Sequence, residues 1–151
     1  MEFETNFFLN KPAIPQEHPM GCAVACVAFR CGLSYQAALA LFSSSEYAWT
    51  RGYFCSEIVE ALEFAGLKYT YAKFKSVRHA DILIRVGTIA FVDHCTQYPA
   101  GHFFIRGSKG WMNPWVTFPM ITNVRADFQK ELPGKVSYII YQARSFFTRH
   151  H

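Results

Sequence analysis

Four polar residues, each in a recognisable local pattern, could together carry out thiol chemistry. Gln16 stands six residues before Cys22, which opens an apolar run of small residues. Later in the chain, His102 is followed by two aromatic residues and an isoleucine, and Asn113 precedes Pro114. A cysteine sulfur can attack a carbonyl carbon when an imidazole moves the proton and a third group orients that imidazole. The sequence therefore predicts Cys22 as nucleophile, His102 as general base and then acid, and Asn113 as the group that orients it.

The positions of these residues predict how each would act. Cys22 is expected at the N-terminus of a helix, where the helix dipole and a neighbouring histidine favour the thiolate. Gln16 follows a proline-bounded segment, and its side-chain amide would stabilise a tetrahedral oxyanion together with the backbone N–H of Cys22. Asn113 would hold His102 through its side-chain oxygen.

Helical periodicity, caps and stop signals predict three helices in the first half of the chain. Gly32 and Gly66 are the stop signals, and Ser34 and Ser56 are the predicted N-caps. The first helix is apolar all round, which indicates that it is buried. The segment through Trp49 is expected to be a loop. The predicted helices cover residues 22–31, 35–42 and 57–65.

A hairpin in the second half of the chain is predicted to bring two of the polar residues together. Residues 108–110, with the sequence Ser-Lys-Gly, are typical of a tight turn between antiparallel strands. His102 would then open one strand and Asn113 would close its partner. The two residues are eleven apart in sequence and are expected to lie close together in space.

Helices in the first half followed by strands in the second indicate an α+β fold and not a parallel α/β sheet. A short helix is expected among the strands at residues 76–86, with Ile82, Leu83 and Val86 facing inward. A length of 151 residues favours a single domain over residues 1–151. The predicted strands cover residues 68–74, 88–94, 102–106, 110–112, 116–118 and 135–143.

Composition and charge exclude several classes of function. The chain is 51% apolar and 17% aromatic, which argues against disorder, and its net charge of +4 is scattered and not clustered as in nucleic-acid binders. No apolar run approaches the roughly 20 residues that span a bilayer. The N-terminus lacks a basic leader, and five cysteines in no disulfide-like spacing favour reduced thiols. We therefore expect a cytoplasmic protein, with secretion by a non-classical route left open.

Metal binding is the alternative use of the cysteines. Cys22, Cys26 and Cys31 are four and five residues apart, unlike the close pairs of structural zinc sites, so no metal or cofactor is expected. Cys26 lies one helical turn beyond Cys22 and is predicted to be a core residue. Cys55 and Cys95 are interpreted in the same way, as is Cys31.

Other histidines could compete with His102 for the role of base. His94 follows Asp93, but adjacent residues of a strand point to opposite faces, so Asp93 is not expected to orient it. His18 is close to Cys22 in sequence and could line the same cleft. His79 is expected on a surface helix, and no chemical role is assigned to it.

At these residues the chain resembles the bacteriocin-processing double-glycine leader peptidases and their stand-alone relatives in the papain-like cysteine peptidase superfamily. The matching motifs, in the family's order and spacing, are Gln16, Cys22 with Ala25-Cys26 after it, His102-Phe103-Phe104-Ile105, and Asn113-Pro114. The resemblance implies a papain-like fold, in which an N-terminal helical lobe packs on a C-terminal antiparallel β-sheet. The active site would lie in the cleft between them.

Two residues depart from the family pattern. Ala23 stands where a glycine usually follows the cysteine, and Gly21 stands where an acidic or polar residue often precedes it. Either change could narrow the oxyanion pocket.

The function implied by the resemblance is cleavage of a peptide or isopeptide bond through a thioester on Cys22. Leader-peptide processing and an effector or toxin protease are both compatible with it, and a transporter or an immunity protein could be the partner. A catalytically silent module that binds peptides in the cleft and an acyltransferase that uses the same residues remain as alternatives. The expected ligand in each case is a peptide or protein, not nucleic acid.

Overall fold

The computed structural model describes residues 11–143. Within that range it contains five helices and six strands: four helices come first, and the fifth lies between the first and second strands. The helices are α1 (Cys22–Cys31), α2 (Tyr35–Leu39), α3 (Tyr47–Thr50), α4 (Cys55–Phe64) and α5 (Ser76–Leu83). The strands are β1 (Tyr69–Lys73), β2 (Ile89–Val92), β3 (His102–Gly107), β4 (Gly110–Asn113), β5 (Asp127–Gln129) and β6 (Val136–Gln142).

The six strands form one sheet in the order β1-β6-β2-β3-β4-β5, and every neighbouring pair is antiparallel. Strands β2, β3, β4 and β5 follow one another in sequence order, whereas β6 returns to lie between β1 and β2. The first four helices precede the sheet in the chain. The predicted α+β class, with a helical N-terminal part and an antiparallel C-terminal sheet, is confirmed.

Helix α1 is the central helix of the core. Its residues from Ala23 to Arg30 are all buried, and it contacts α2, α4 and β3. A helix that buries its whole circumference needs an apolar sequence on every face, which is the pattern seen here. It ends at Gly32, which has a φ of 70° in the left-handed region that terminates helices at low cost for glycine.

Strand β3 separates the two apolar clusters of the molecule. Because side chains alternate along a strand, Phe103 and Ile105 join the main core around α1, whereas Phe104 packs with Tyr98 on the other face. His102 lies two residues before Phe104 and therefore points to the same face of the strand. Its ring contacts the rings of both Phe104 and Tyr98. Within residues 11–143, no helix has both the length and the apolarity to cross a membrane.

The helix predictions for the first half of the chain need three corrections. Helix α2 begins after its predicted cap, where Ser34 Oγ accepts from the backbone N–H of Ala37, but it ends at Leu39 and not at residue 42. Ser56 does not cap α4, because the helix begins one residue earlier and the Glu57 carboxylate accepts from the backbone N–H of Phe54. The segment through Trp49 contains the single turn α3 instead of a loop.

The strand predictions are confirmed for five of the six strands and wrong at residues 116–118. Those residues form a turn, and the sixth strand is β5, at residues 127–129.

The helix expected over residues 76–86 ends at Leu83, and Val86 is exposed. His79, expected on the surface, is buried: its ring packs near those of Phe74 and Tyr141, and its Nδ1 accepts from the backbone N–H of Lys75.

Candidate active site

Cys22 is the first residue of α1 and lines a groove of about 410 Å³ between the helices and the sheet. Its sulfur receives backbone hydrogen bonds from Phe103 in β3 and from Ala23. The groove walls are mainly apolar: Tyr53 and Phe54 come from the helical side, and the sheet side presents Phe91, Tyr71 and Tyr138. The fold therefore places the predicted nucleophile at an open cleft, against the residue that directly follows His102.

Burial controls the protonation of the Cys22 thiol. Desolvation raises its pKa from 9.0 to about 11, against the smaller lowering effect of the backbone hydrogen bonds from Phe103 and Ala23. The expectation that the helix N-terminus would favour a thiolate at rest is therefore wrong for the unliganded site. The helix position supplies N–H donors, but the loss of water around the sulfur outweighs them.

The predicted hairpin joins His102 to Asn113. The β3–β4 register pairs Ile105 with Met112 and Gly107 with Gly110, so His102 and Asn113 lie diagonally across the two strands. His102 Nε2 lies 2.9 Å from Asn113 Oδ1, and because an amide oxygen only accepts, the imidazole donates this bond. The ring thus carries its proton on Nε2, and Nδ1 is left as the basic nitrogen.

The His102 imidazole is neutral at pH 7 in this environment. Burial lowers its pKa from 6.5 to about 4, and the hydrogen bond to Asn113 opposes this only in part. Together with the raised pKa of Cys22, this gives a neutral thiol and a neutral imidazole at rest. A neutral thiol becomes a strong nucleophile only when its proton passes to a base as the new bond forms.

Gln16 is buried and tied to the same region by its backbone. Its N–H donates to the carbonyl of Pro114, 3.2 Å away, so the segment before Cys22 lies against the turn after Asn113. The side-chain Nε2 lies 3.0 Å from the carbonyl oxygen of His18 and 3.1 Å from that of Pro19. Its Oε1 is buried and has no hydrogen-bond partner among the described residues.

The departure at Gly21 has a steric explanation. A Cβ at this position would lie 2.0 Å from the hydroxyl oxygen of Tyr35 and 3.3 Å from the carbonyl oxygen of His18. The Tyr35 hydroxyl occupies this space because it bonds His18 Nδ1 at 2.9 Å. His18 also packs against Trp49, with 3.9 Å between the ring centroids, so its ring fixes the segment before Cys22.

The competing histidine and the other cysteines have different surroundings. His94 is exposed, and its Nδ1 lies 3.2 Å from Asp93 Oδ1. The prediction that Asp93 could not orient His94 is wrong, because β2 ends at Val92 and strand alternation does not extend to these residues. Cys26 is buried, as predicted, whereas Cys31, Cys55 and Cys95 are partly buried and pack against the apolar clusters and not inside them.

Metal binding finds no support in the part of the chain that the structure describes. Residues 11–143 contain no group of three or more His, Cys, Asp or Glu side chains that could hold a metal ion.

Cys55 lines the same groove as Cys22, and burial raises its pKa to about 11. It is the first residue of α4, on the helical wall of the cleft.

Gly101 lies beside the candidate base, and no sequence pattern predicted its place there. It lines the groove directly before His102 and has a φ of 80°. A Cβ there would lie 2.3 Å from Phe91 Cζ and 2.9 Å from the carbonyl oxygen of Val92. Only glycine fits both the backbone conformation and the space. The signal in the sequence was the glycine itself, immediately before the candidate base.

Comparison with known proteins supports the fold. No protein-family model and no curated protein matches the chain. The structure is similar to the crystal structure of the peptidase domain of Streptococcus ComA, a bifunctional ABC transporter involved in a quorum-sensing pathway. The TM-score is 0.56 at 19% sequence identity, and the match covers 89% of this chain and 98% of the other. This chain therefore shares the fold of the ComA peptidase domain, with N-terminal helices followed by a six-stranded antiparallel sheet.

Proposed function

We propose that this protein is a cysteine peptidase that cleaves a peptide or isopeptide bond through a thioester on Cys22. The observation that supports the proposal is that Cys22 lies at the groove beside the strand that begins with the His102–Asn113 pair. Cys22 opens α1 at the groove, its sulfur contacts the backbone of Phe103, and the preceding residue, His102, is bonded to Asn113. The shared fold with the ComA peptidase domain supports the same assignment.

The proposed reaction begins from the neutral pair. As the Cys22 sulfur bonds to the substrate carbonyl carbon, its proton passes to Nδ1 of His102, and Asn113 holds the resulting imidazolium through Nε2. The imidazolium then protonates the leaving amine as the carbon–nitrogen bond breaks. Water, deprotonated by the same imidazole, attacks the thioester and releases the carboxylate product and the thiol.

A peptide is the ligand that the groove suits best. The cleft is lined by aromatic rings from both walls. Tyr71 and Tyr138 are partly exposed on the sheet wall and can contact apolar side chains of a substrate. We propose that the protein binds an extended peptide along this groove, with the scissile carbonyl over Cys22.

A peptide-based electrophile tests the proposal. We expect a peptide aldehyde or vinyl sulfone to modify Cys22, because base-assisted attack needs a substrate-like group beside His102 and not a thiolate that exists at rest. The measurement is intact-protein mass spectrometry followed by peptide mapping, with Cys95→Ala as the control because Cys95 packs against the second apolar cluster and does not line the groove. Absence of labelling at Cys22 across a peptide library would contradict the proposal.

The second candidate is a silent peptide-binding module, and the hydrogen bonds of Gln16 favour it. An amide nitrogen has two protons, and both are engaged if the carbonyls of His18 and Pro19 each receive one. Gln16 can serve an oxyanion only if these two carbonyls share a proton. Peptide binding measured by calorimetry, without any covalent labelling or cleavage, is the result that selects this candidate.

Substitution of Gln16 separates a catalytic from a structural role. If its amide stabilises the oxyanion, Gln16→Ala is expected to lower kcat by about 10²- to 10³-fold with little change in KM. Gln36→Ala is the matched control, because that amide makes one exposed hydrogen bond to Glu17. The measurement is steady-state cleavage with thermal unfolding in parallel. A variant that loses stability but keeps kcat would show that Gln16 only holds the segment before Cys22.

A further inference from the structure

Tyr98 contacts both members of the His102–Asn113 pair. It lies in the connection between β2 and β3 and is buried, with 2% of its surface exposed. Its ring stacks on the imidazole of His102 with 4.0 Å between centroids and an interplanar angle of 2°. Its hydroxyl lies 2.8 Å from Asn113 Nδ2 and 2.7 Å from the carbonyl oxygen of Trp115.

The hydrogen bonds around the Tyr98 hydroxyl have only one consistent direction. The Trp115 carbonyl can only accept, so the single hydroxyl proton goes there. The hydroxyl oxygen must then accept from Asn113 Nδ2, and it also accepts from Gln97 Nε2 at 3.3 Å. The atom of the Asn113 amide that faces the Tyr98 hydroxyl must therefore be the nitrogen, because only the nitrogen can donate.

The same reasoning determines the orientation of Asn113 and the tautomer of His102. Asn113 Nδ2 donates its second proton to Gln129 Oε1, 2.8 Å away, and Oδ1 accepts from the backbone N–H of Trp115 at 2.9 Å. With the oxygen held in this position, His102 must donate from Nε2. If the amide were flipped, Nδ2 would face the Trp115 N–H, so that two donors would meet. Oδ1 would face the Tyr98 hydroxyl oxygen, whose proton is already donated to the Trp115 carbonyl.

The backbone around Tyr98 holds its ring in place. The Tyr98 carbonyl accepts from the N–H of Cys95 at 3.0 Å and from that of Gly101 at 2.9 Å. This compact turn leads directly into His102, the first residue of β3. The stacked ring restricts rotation of the imidazole about its side-chain torsions, and an aromatic face also stabilises the positive charge that the imidazole gains during proton transfer.

We propose that Tyr98 is a positioning residue for the active site, in which the ring holds the plane of the His102 imidazole and the hydroxyl fixes the Asn113 amide. The proposal rests on the function proposed above, since it assigns His102 as base. Tyr98 acts through these two residues and is not assigned any contact with substrate.

Two substitutions separate the contributions of the ring and the hydroxyl. Tyr98→Phe keeps the stacked ring but removes the acceptor for Asn113 and the donor to Trp115, and we expect kcat to fall about tenfold with KM unchanged. Tyr98→Leu removes the stack as well, and kcat should fall about 10²-fold. Tyr69→Phe is the matched control, because Tyr69 is buried and its hydroxyl bonds Arg30 and the Gly87 carbonyl outside the groove.

The tautomer of His102 provides a measurement that does not depend on turnover. In the wild-type protein, ¹⁵N NMR of the imidazole should show the proton on Nε2, and Tyr98→Phe should raise the fraction protonated on Nδ1, whereas Tyr69→Phe should not. A wild-type protein without peptidase activity but with this tautomer shift would overturn the proposed function and support the positioning role. If Tyr98→Phe leaves both the tautomer and kcat as in the wild type, the positioning role is overturned, even if Tyr98→Leu fails to fold.

Discussion

Replacing Cys22 with alanine is expected to reduce peptide cleavage by about 10⁴-fold or more, because the nucleophile is lost and only binding and oxyanion contacts remain. The alanine keeps the Cβ at the start of α1, and the segment around Gly21 and Tyr35 is left unchanged. The fold should therefore survive the substitution. The measurement is kcat/KM on a peptide identified from a cleaved library, with circular dichroism to verify folding.

Two variants make this result specific. Cys22→Ser keeps a polar atom near the same position but offers a hydroxyl, a much weaker nucleophile at neutral pH, and should be as inactive as the alanine variant. Cys95→Ala removes a partly buried thiol outside the groove and should cleave like the wild type. A Cys22→Ala protein that cleaves at a rate comparable to the wild type would exclude Cys22 as the nucleophile.

The protonation state of Cys22 can be measured in the same proteins. Because burial raises its pKa to about 11, alkylation of Cys22 by iodoacetamide should be slow at neutral pH and should accelerate as the pH approaches that value. Cleavage should not follow this curve, because the proton is transferred to His102 within the substrate complex. Rapid alkylation at neutral pH would instead indicate a thiolate at rest.

The parts of the fold that depend on local sequence could be predicted. Helix α1 is marked by an uninterrupted run of small apolar residues and by the stop at Gly32, and both signals act within a few residues. The β3–β4 hairpin is marked by its turn, which set the proximity of His102 and Asn113 correctly. Local signals of this kind were sufficient to place these two residues together.

The remaining features depend on contacts between distant parts of the chain. Strand β5 has three residues and exists because β4 offers it an edge, while β6 returns to pair with both β1 and β2. The pKa of Cys22 was predicted in the wrong direction because helix position is a local property, whereas desolvation depends on everything packed around the sulfur. The role of Tyr98 likewise depends on a ring stack and on bonds to residues 15 and 17 positions away.

Replacing His102 with glutamine is expected to lower kcat by about 10³-fold, because proton transfer from the thiol loses its base. Glutamine is polar and of similar length, so it can donate to Asn113 in place of the imidazole Nε2. His94→Gln is the matched control, since His94 is exposed and bonded only to Asp93 among the described residues. Equal loss of activity in both variants would show that His102 has no special role.

The buried imidazole of His102 should also make the folded state sensitive to acid. Its pKa is lowered from 6.5 to about 4, so between these values the unfolded chain binds a proton that the folded protein does not. The stabilisation from this group is present above pH 6.5 and is lost as the pH falls towards 4, by about 3 kcal/mol. Urea unfolding of the wild type and of His102→Gln across this range measures the difference, because the glutamine variant lacks the titrating group. Identical pH slopes in the two proteins would mean that the imidazole keeps its ordinary pKa in the folded state, and the lowering of that pKa by burial would then be excluded.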